Sequence, residues 1–167
     1  MYEILIVGGG PAGLTAAMYA ARAGKHVVVL ERGSTGGQII SAPLVENYPG
    51  IPSVSGTELA RQMTEQACTF GAEIVYTEAV GLEKTPAGFR VLCTDGVREA
   101  KAVILATGAA HRSLGLAAED ALTGCGVSYC AVCDGAFYEG LDVAVVGGGD
   151  TALQDTLFLA NICRSVT

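Results

Sequence analysis

Cys130-Ala131-Val132-Cys133-Asp134-Gly135 is where residue type and spacing come nearest to reactive chemistry. Two thiols separated by two residues close a very small disulfide ring when oxidised, and a carboxylate follows at once. Where such a pair opens a helix, the unpaired N–H groups and the helix dipole stabilise a thiolate. A disulfide of this kind forms and breaks by thiolate attack on sulfur. The competing chemistry is half of a zinc site, but zinc takes four ligands, often from two such pairs. The other cysteines, Cys68, Cys93, Cys125 and Cys163, make no second CxxC. Neither His26 nor His111 stands at ligand spacing from Cys125. Redox chemistry is the stronger reading, and no metal is expected.

A redox pair needs a scaffold and an electron source, and the flanking segments read as both. Ile4-Leu5-Ile6-Val7 is a short apolar run, as in a parallel strand covered on both faces. It enters Gly8-Gly9-Gly10-Pro11-Ala12-Gly13 and then an Ala-rich helix from Leu14 to Ala23, ended by Gly24. Val27-Val28-Val29-Leu30 follows and closes on Glu31. In this βαβ pattern Gly8 permits the tight turn, Gly10 lets the backbone approach a pyrophosphate, and Gly13 lets helix and strand pack closely. The helix N-terminus offers N–H groups to phosphate. Glu31 stands roughly 20 residues past the turn, where a carboxylate accepts from ribose hydroxyls.

Further along, Arg32 and Gly36-Gly37-Gln38 precede an amphipathic helix at Thr57–Phe70 and a strand at Glu73–Glu78. A hairpin is expected over Gly88–Ala100, turning at Asp95-Gly96, and then a buried strand Ala102–Leu105 ending in Ala106-Thr107-Gly108. After the cysteine pair, Leu141–Val146 reads as another apolar strand. It leads into Gly147-Gly148-Gly149-Asp150-Thr151-Ala152, a GxGxxA turn, and a helix to about Asn161. Ser165-Val166-Thr167 should begin the next strand. This weak internal repeat implies two nucleotides with electrons passing between them. The expected fold is α/β, Rossmann-like and three-layered, with two dinucleotide-binding units of which the second is cut short. The expected domains are 1–112 and 113–167.

Composition sets outer limits. The 167 residues suit one domain, or one plus part of another, and with 50% hydrophobic and 16% charged residues the chain can bury a sizeable core. A net charge of −7 speaks against a phosphate-tracking nucleic-acid surface. No run reaches the roughly 18 apolar residues of a membrane span. Met1-Tyr2-Glu3 leads straight into a strand, so no secretory leader is expected. Cytosol is the expected compartment, where a CxxC is more often catalytic than structural.

Taken in chain order, Gly8-to-Gly13, Glu31, Gly36-Gly37-Gln38, Glu46-Asn47-Tyr48-Pro49-Gly50, Ala106-Thr107-Gly108, Cys130-to-Gly135 and Gly147-to-Ala152 resemble the bacterial low-molecular-weight thioredoxin reductase family. The cysteine pair just before the second turn is the specific part, since glutathione-reductase-like relatives carry theirs early. The resemblance implies FAD held by Gly8, Gly10, Pro11, Ala12, Gly13, Glu31, Arg32, Gly37, Gln38, Asn47, Thr107 and Gly108. It implies NADPH at Gly147, Gly149, Asp150 and Thr151. Cys130 would attack the disulfide of thioredoxin or a thioredoxin-like partner, Cys133 would lie next to the flavin, and Asp134 would carry the proton. From the residues alone, a plain helix-start carboxylate is the lesser reading of Asp134, and Asn47 reads equally as a turn residue. The full-length relatives imply a homodimer.

Two departures stand out. Cys125 replaces a basic residue common in the family, and the relatives are nearly twice as long, with a returning FAD segment. The chain alone is therefore expected to be inactive or poorly folded, with open sheet edges and apolar faces. Other readings are a reductase using ferredoxin or bacillithiol, and a nucleotide-holding module without electron transfer.

Overall fold

The computed structural model describes residues 1–167, which divide into two compact units, Met1–Ala110 and His111–Thr167. The first is built on β1 (Tyr2–Val7), β2 (Val27–Glu31) and β3 (Glu73–Tyr76), followed by β4 (Ala79–Thr85), β5 (Gly88–Cys93) and β6 (Gly96–Leu105). They form one sheet in the order β3-β2-β1-β6-β5-β4. β1 pairs in parallel with β2 and β6, and β2 with β3. The β4-β5-β6 meander is antiparallel. Ala100 is the pivot of β6: it faces Phe89 across the antiparallel ladder and Tyr2 across the parallel one.

Alternation along β1 and β2 explains the core. Ile6, Val27 and Val29 face Ala17 and Ala21 of α1 (Pro11–Arg22) and Ala67 of α2 (Gly56–Thr69). Leu5, Val28 and Leu30 point the other way and pack with Val91 and Ala100 of the meander. Both faces are covered, which is why these strands read as unbroken apolar runs. The layers are helices, parallel strands and meander. Pro11 sits at the first helical position, where its missing N–H costs nothing. Ser55 caps α2 by accepting the Glu58 N–H at 3.2 Å.

Two differences from the sequence expectation have physical causes. β4 escapes a periodicity reading because a bulge between Ala79 and Gly81 breaks its alternation and most of its residues are exposed. The Ala102–Leu105 stretch is a strand but not a buried one, with Ile104 38% and Leu105 65% exposed. α1 packs on β1 and β2 and leaves this end of β6 open.

The second unit contains α3 (Glu119–Leu122), α4 (Ala131–Asp134), a 3-10 turn at Gly135–Tyr138, β7 (Asp142–Val143), α5 (Asp150–Leu159) and β8 (Ser165–Val166). β7 and β8 pair in parallel around α5, a small βαβ unit. The strand expected over Leu141–Val146 shortens because its one partner offers two residues, although Val145 N–H still donates to Thr167 O at 2.8 Å. No helix is long and apolar enough to cross a membrane.

The uncovered end of β6 gives a direct test. Leu5→Ala, at a position with no exposure, should lower unfolding free energy by about 2–5 kcal/mol. Leu105→Ala should change it by no more than about 0.5 kcal/mol. Urea denaturation of the full-length protein measures both, and equal losses would show that Leu105 is packed.

Candidate dinucleotide and dithiol sites

The first glycine turn is shaped by what cannot fit there. Gly8 has φ +108°, and a Cβ on it would stand 2.2 Å from the carbonyl oxygen of Ala106. A Cβ on Gly13 would stand 1.9 Å from the Gly8 carbonyl oxygen. The start of α1, the end of β1 and the residues leading to Thr107 and Gly108 are thus drawn together. Gly10 faces Gly37, whose Cα is the nearest atom a Gly10 Cβ would meet, at 3.9 Å. Gly36 N–H donates to Gly9 O at 2.7 Å, holding the two glycine segments side by side. Gly10 caps α1 without a side-chain hydrogen bond, and no acid lies in its first turn, which holds Pro11, Ala12 and Gly13. Free N–H groups, a positive dipole end and an open cradle fit a pyrophosphate.

Glu31 does more than its sequence position suggests. Its Oε2 accepts the Gly9 N–H at 2.7 Å and its Oε1 the Gly33 N–H at 2.9 Å, so one carboxylate pins the turn to the end of β2. Each oxygen keeps a lone pair free for a ribose hydroxyl. Gln38 donates through Nε2 to Ala109 O, tying the segment after Gly37 to the loop beyond Thr107-Gly108. Arg32 and Asn47 are exposed and lie outside this network. Asn47 precedes a tight turn in which Ile51 N–H reaches Tyr48 O at 3.1 Å, with Gly50 at φ +91°.

In the second unit Cys130 and Cys133 form a disulfide, with Cα atoms 5.2 Å apart. Cys130 is the N-cap of α4: its Sγ accepts the Cys133 N–H at 3.3 Å, and its carbonyl accepts the Asp134 N–H at 3.0 Å. Cys133 is exposed, while Cys130 and Asp134 are half-buried. Asp134 Oδ2 accepts the Ser128 hydroxyl at 2.5 Å, and Ser128 Oγ accepts the Cys130 N–H at 3.1 Å. Tyr138 follows one turn later, its hydroxyl pushed up by burial and then by the negative charges of Asp134 and Cys125. Phe158, Ile162 and Leu159 crowd Gly135 from below, where a Cβ would meet Phe158 at 2.8 Å. No three histidine, cysteine or carboxylate groups converge in a metal-holding cluster.

Immediately upstream lies a buried carboxylate. Glu119 is 3% exposed and accepts from Tyr129 Oη, the Leu114 N–H at 2.8 Å, the Leu116 N–H at 3.1 Å and Ser113 Oγ at 3.0 Å. These donors, Tyr129 foremost, hold it down to about 2, and Glu119 in turn pushes Tyr129 up to about 12. His111 stacks on the Tyr129 ring at 3.4 Å. Sequence reasoning missed Ser128, Tyr129 and Glu119. In Ala-Glu-Asp-Ala an acid reads as helix surface, whereas a serine two residues before a reactive cysteine is a local hydrogen-bonding signal that could have been weighed.

The second glycine turn is looser than the first. Gly147 has φ +147°, and its Cβ would meet the Ala152 Cβ at 3.0 Å, the closeness that Gly13 takes to an extreme in the first copy. Gly149 caps α5 with nothing within 4 Å of its Cβ position, followed by Asp150 and the exposed Thr151. Asp150 puts a carboxylate in the first turn of α5, so the field for an anion is weaker here than at α1.

The Glu119 network has a signed pH dependence. A carboxyl held below its unfolded value stabilises the fold fully above about pH 4.5, and that contribution drains away as pH falls to about 2. Protection of the Leu114 and Leu116 amides from hydrogen exchange, relative to the unstructured rate at each pH, should therefore fall across this window. In Glu119→Gln that protection should be low at pH 7 already and show no change between pH 5 and 2.

Comparison with known proteins agrees with these geometries. Residues 2–167 match the pyridine nucleotide-disulphide oxidoreductase family. The chain is 44% identical over 167 residues to a thioredoxin reductase of Listeria monocytogenes, an alignment covering 100% of this chain and 52% of that protein. With a thioredoxin reductase of Bacillus subtilis it shares 43% identity, covering 100% of this chain and 53% of the relative. The crystal structure of thioredoxin reductase from Streptococcus pyogenes superposes with a TM-score of 0.95 at 46% identity, over 99% of this chain and 54% of that one. The chain spans about half the length of the relatives it matches. Matched from its second residue to its last, with the glycine turns and the disulfide in place, the chain belongs to the pyridine nucleotide-disulphide oxidoreductase family.

Proposed function

We propose that this chain forms the flavin-binding and dithiol part of a thioredoxin-disulfide reductase. Electrons would run from NADPH through FAD to the Cys130–Cys133 disulfide, then to a disulfide of thioredoxin or a thioredoxin-like protein. Membership of the family implies use of a flavin and a pyridine nucleotide; FAD and NADPH are the species we assign, in the cytosol. The observation that carries the reading is the Cys130–Cys133 disulfide at a helix start with Asp134 beside it.

The residues divide the work. Gly10, Gly37 and the free N–H groups of α1 accept the pyrophosphate, while Glu31 holds the turn and offers its remaining lone pairs to the ribose. The bound flavin supplies the two-electron link between nicotinamide and sulfur. When two electrons reach the disulfide, the S–S bond breaks, one sulfur becomes a thiolate, and the other takes a proton, whose supply we assign to Asp134. The Cys133 N–H, 3.3 Å from Cys130 Sγ, stabilises a thiolate at Cys130. That thiolate attacks one sulfur of the partner disulfide, and the partner's other sulfur leaves and is protonated. Cys133, deprotonated in turn, attacks Cys130 Sγ, which restores the internal disulfide and releases the reduced partner. Gly147, Gly149, Asp150 and Thr151 are assigned to NADPH.

In the full-length protein, Cys133→Ser should drop thioredoxin reduction to background while FAD is still bound and still bleached by NADPH. Asp134→Asn should slow turnover by roughly 10²–10⁴-fold. Stopped-flow flavin absorbance and a coupled thioredoxin assay measure both. Unchanged thioredoxin reduction in Cys133→Ser would rule out the Cys130–Cys133 disulfide as the electron carrier, and no thioredoxin reduction by the unmutated protein would leave a nucleotide-holding module as the better reading.

A further inference from the structure

We propose that Ser128 is the positioning residue of the dithiol centre, its hydroxyl joining the Cys130 backbone to the Asp134 carboxylate in one hydrogen-bonded chain. Ser128 Oγ is 3.1 Å from the Cys130 N–H it accepts and 2.5 Å from the Asp134 Oδ2 it donates to. The Cys130 carbonyl lies farther off, at 3.3 Å, and a hydroxyl has a single proton, so that proton belongs to Asp134. The inference rests on Asp134 as proton carrier.

The geometry has a chemical consequence. A flexible carboxylate four residues beyond Cys130 can point several ways, and the Ser128 bridge holds it in register with the backbone of the first thiol. The bridge therefore fixes where the Asp134 carboxylate stands relative to the first thiol. Other groups facing the site are few. Tyr138 approaches from the following turn with Cys125 beside it, and α5 presents the apolar Phe158 and Leu159, with Ile162 just beyond. The disulfide does not titrate. Ser128 is therefore the one neutral donor to this carboxylate among the hydrogen bonds of the unit.

The test reduces the disulfide of the intact protein with tris(2-carboxyethyl)phosphine between pH 4 and 8. Phosphorus attacks one sulfur, the S–S bond breaks and the departing sulfur takes a proton. Water then displaces the second thiol and leaves phosphine oxide. Trapped thiols are assigned to Cys130 and Cys133 by mass, and rates are divided by those of a small disulfide peptide to remove the phosphine's own titration. The proton-assisted limb of this profile should fall roughly tenfold in height in Ser128→Ala and keep its height in Ser128→Thr, which keeps the hydroxyl. Asp134→Asn should abolish it. Ser128→Gly reads the same limb if the alanine variant does not fold. A limb of unchanged height in Ser128→Ala or Ser128→Gly, with the limb lost in Asp134→Asn, overturns the role given to Ser128 alone. A limb that survives Asp134→Asn overturns the proton-carrier reading and this inference with it.

Discussion

The first unit depends on a backbone contact that tolerates no side chain. Gly13 brings α1 onto the Gly8 carbonyl, and Gly8 brings the end of β1 onto Ala106 at the end of β6. A Cβ on Gly13 would push the helix off the Gly8 carbonyl, and a Cβ on Gly8 would push the end of β1 off Ala106. Ile6 and Val29 would then lose Ala17 and Ala21, and the free N–H groups at the helix start would no longer face Gly37. Fold and cradle thus share one constraint. The second unit repeats the turn with less closeness, Ala152 replacing the glycine that touches backbone in the first copy.

Charge separates the two turns further. α1 opens with no acid, whereas α5 opens with Asp150. Around the cysteines the polar groups form two nested sets. Glu119 and Tyr129 lock the segment before the disulfide, and Ser128 with Asp134 spans the disulfide itself. Both sets are anchored to backbone N–H groups, which do not wander as surface side chains do.

The parallel strands were legible because both faces of β1 and β2 are buried, so Leu5, Ile6 and Val27 to Leu30 had to be apolar without alternation. The disulfide pair was legible because CxxC spacing admits few chemistries. β4 was not, since its bulge and exposed face erase the two-residue period. Burial at Ile104 and Leu105 was wrongly expected because an apolar strand says nothing about what lies over it. Ser128 and Glu119 stayed hidden because their importance lies in hydrogen bonds that close only in three dimensions. Glu31 lay between these cases: its position suggested a ribose contact, but the bonds to Gly9 and Gly33 emerged only from the folded loop.

That double grip by Glu31 bears on how a nucleotide is taken up. Because Gly9 and Gly33 are already held by the carboxylate, little conformational entropy remains to be lost when a dinucleotide arrives. For the nucleotide proposed above, the turn would serve as a preformed mould, filled by exchange of water for phosphate instead of by ordering a loose loop.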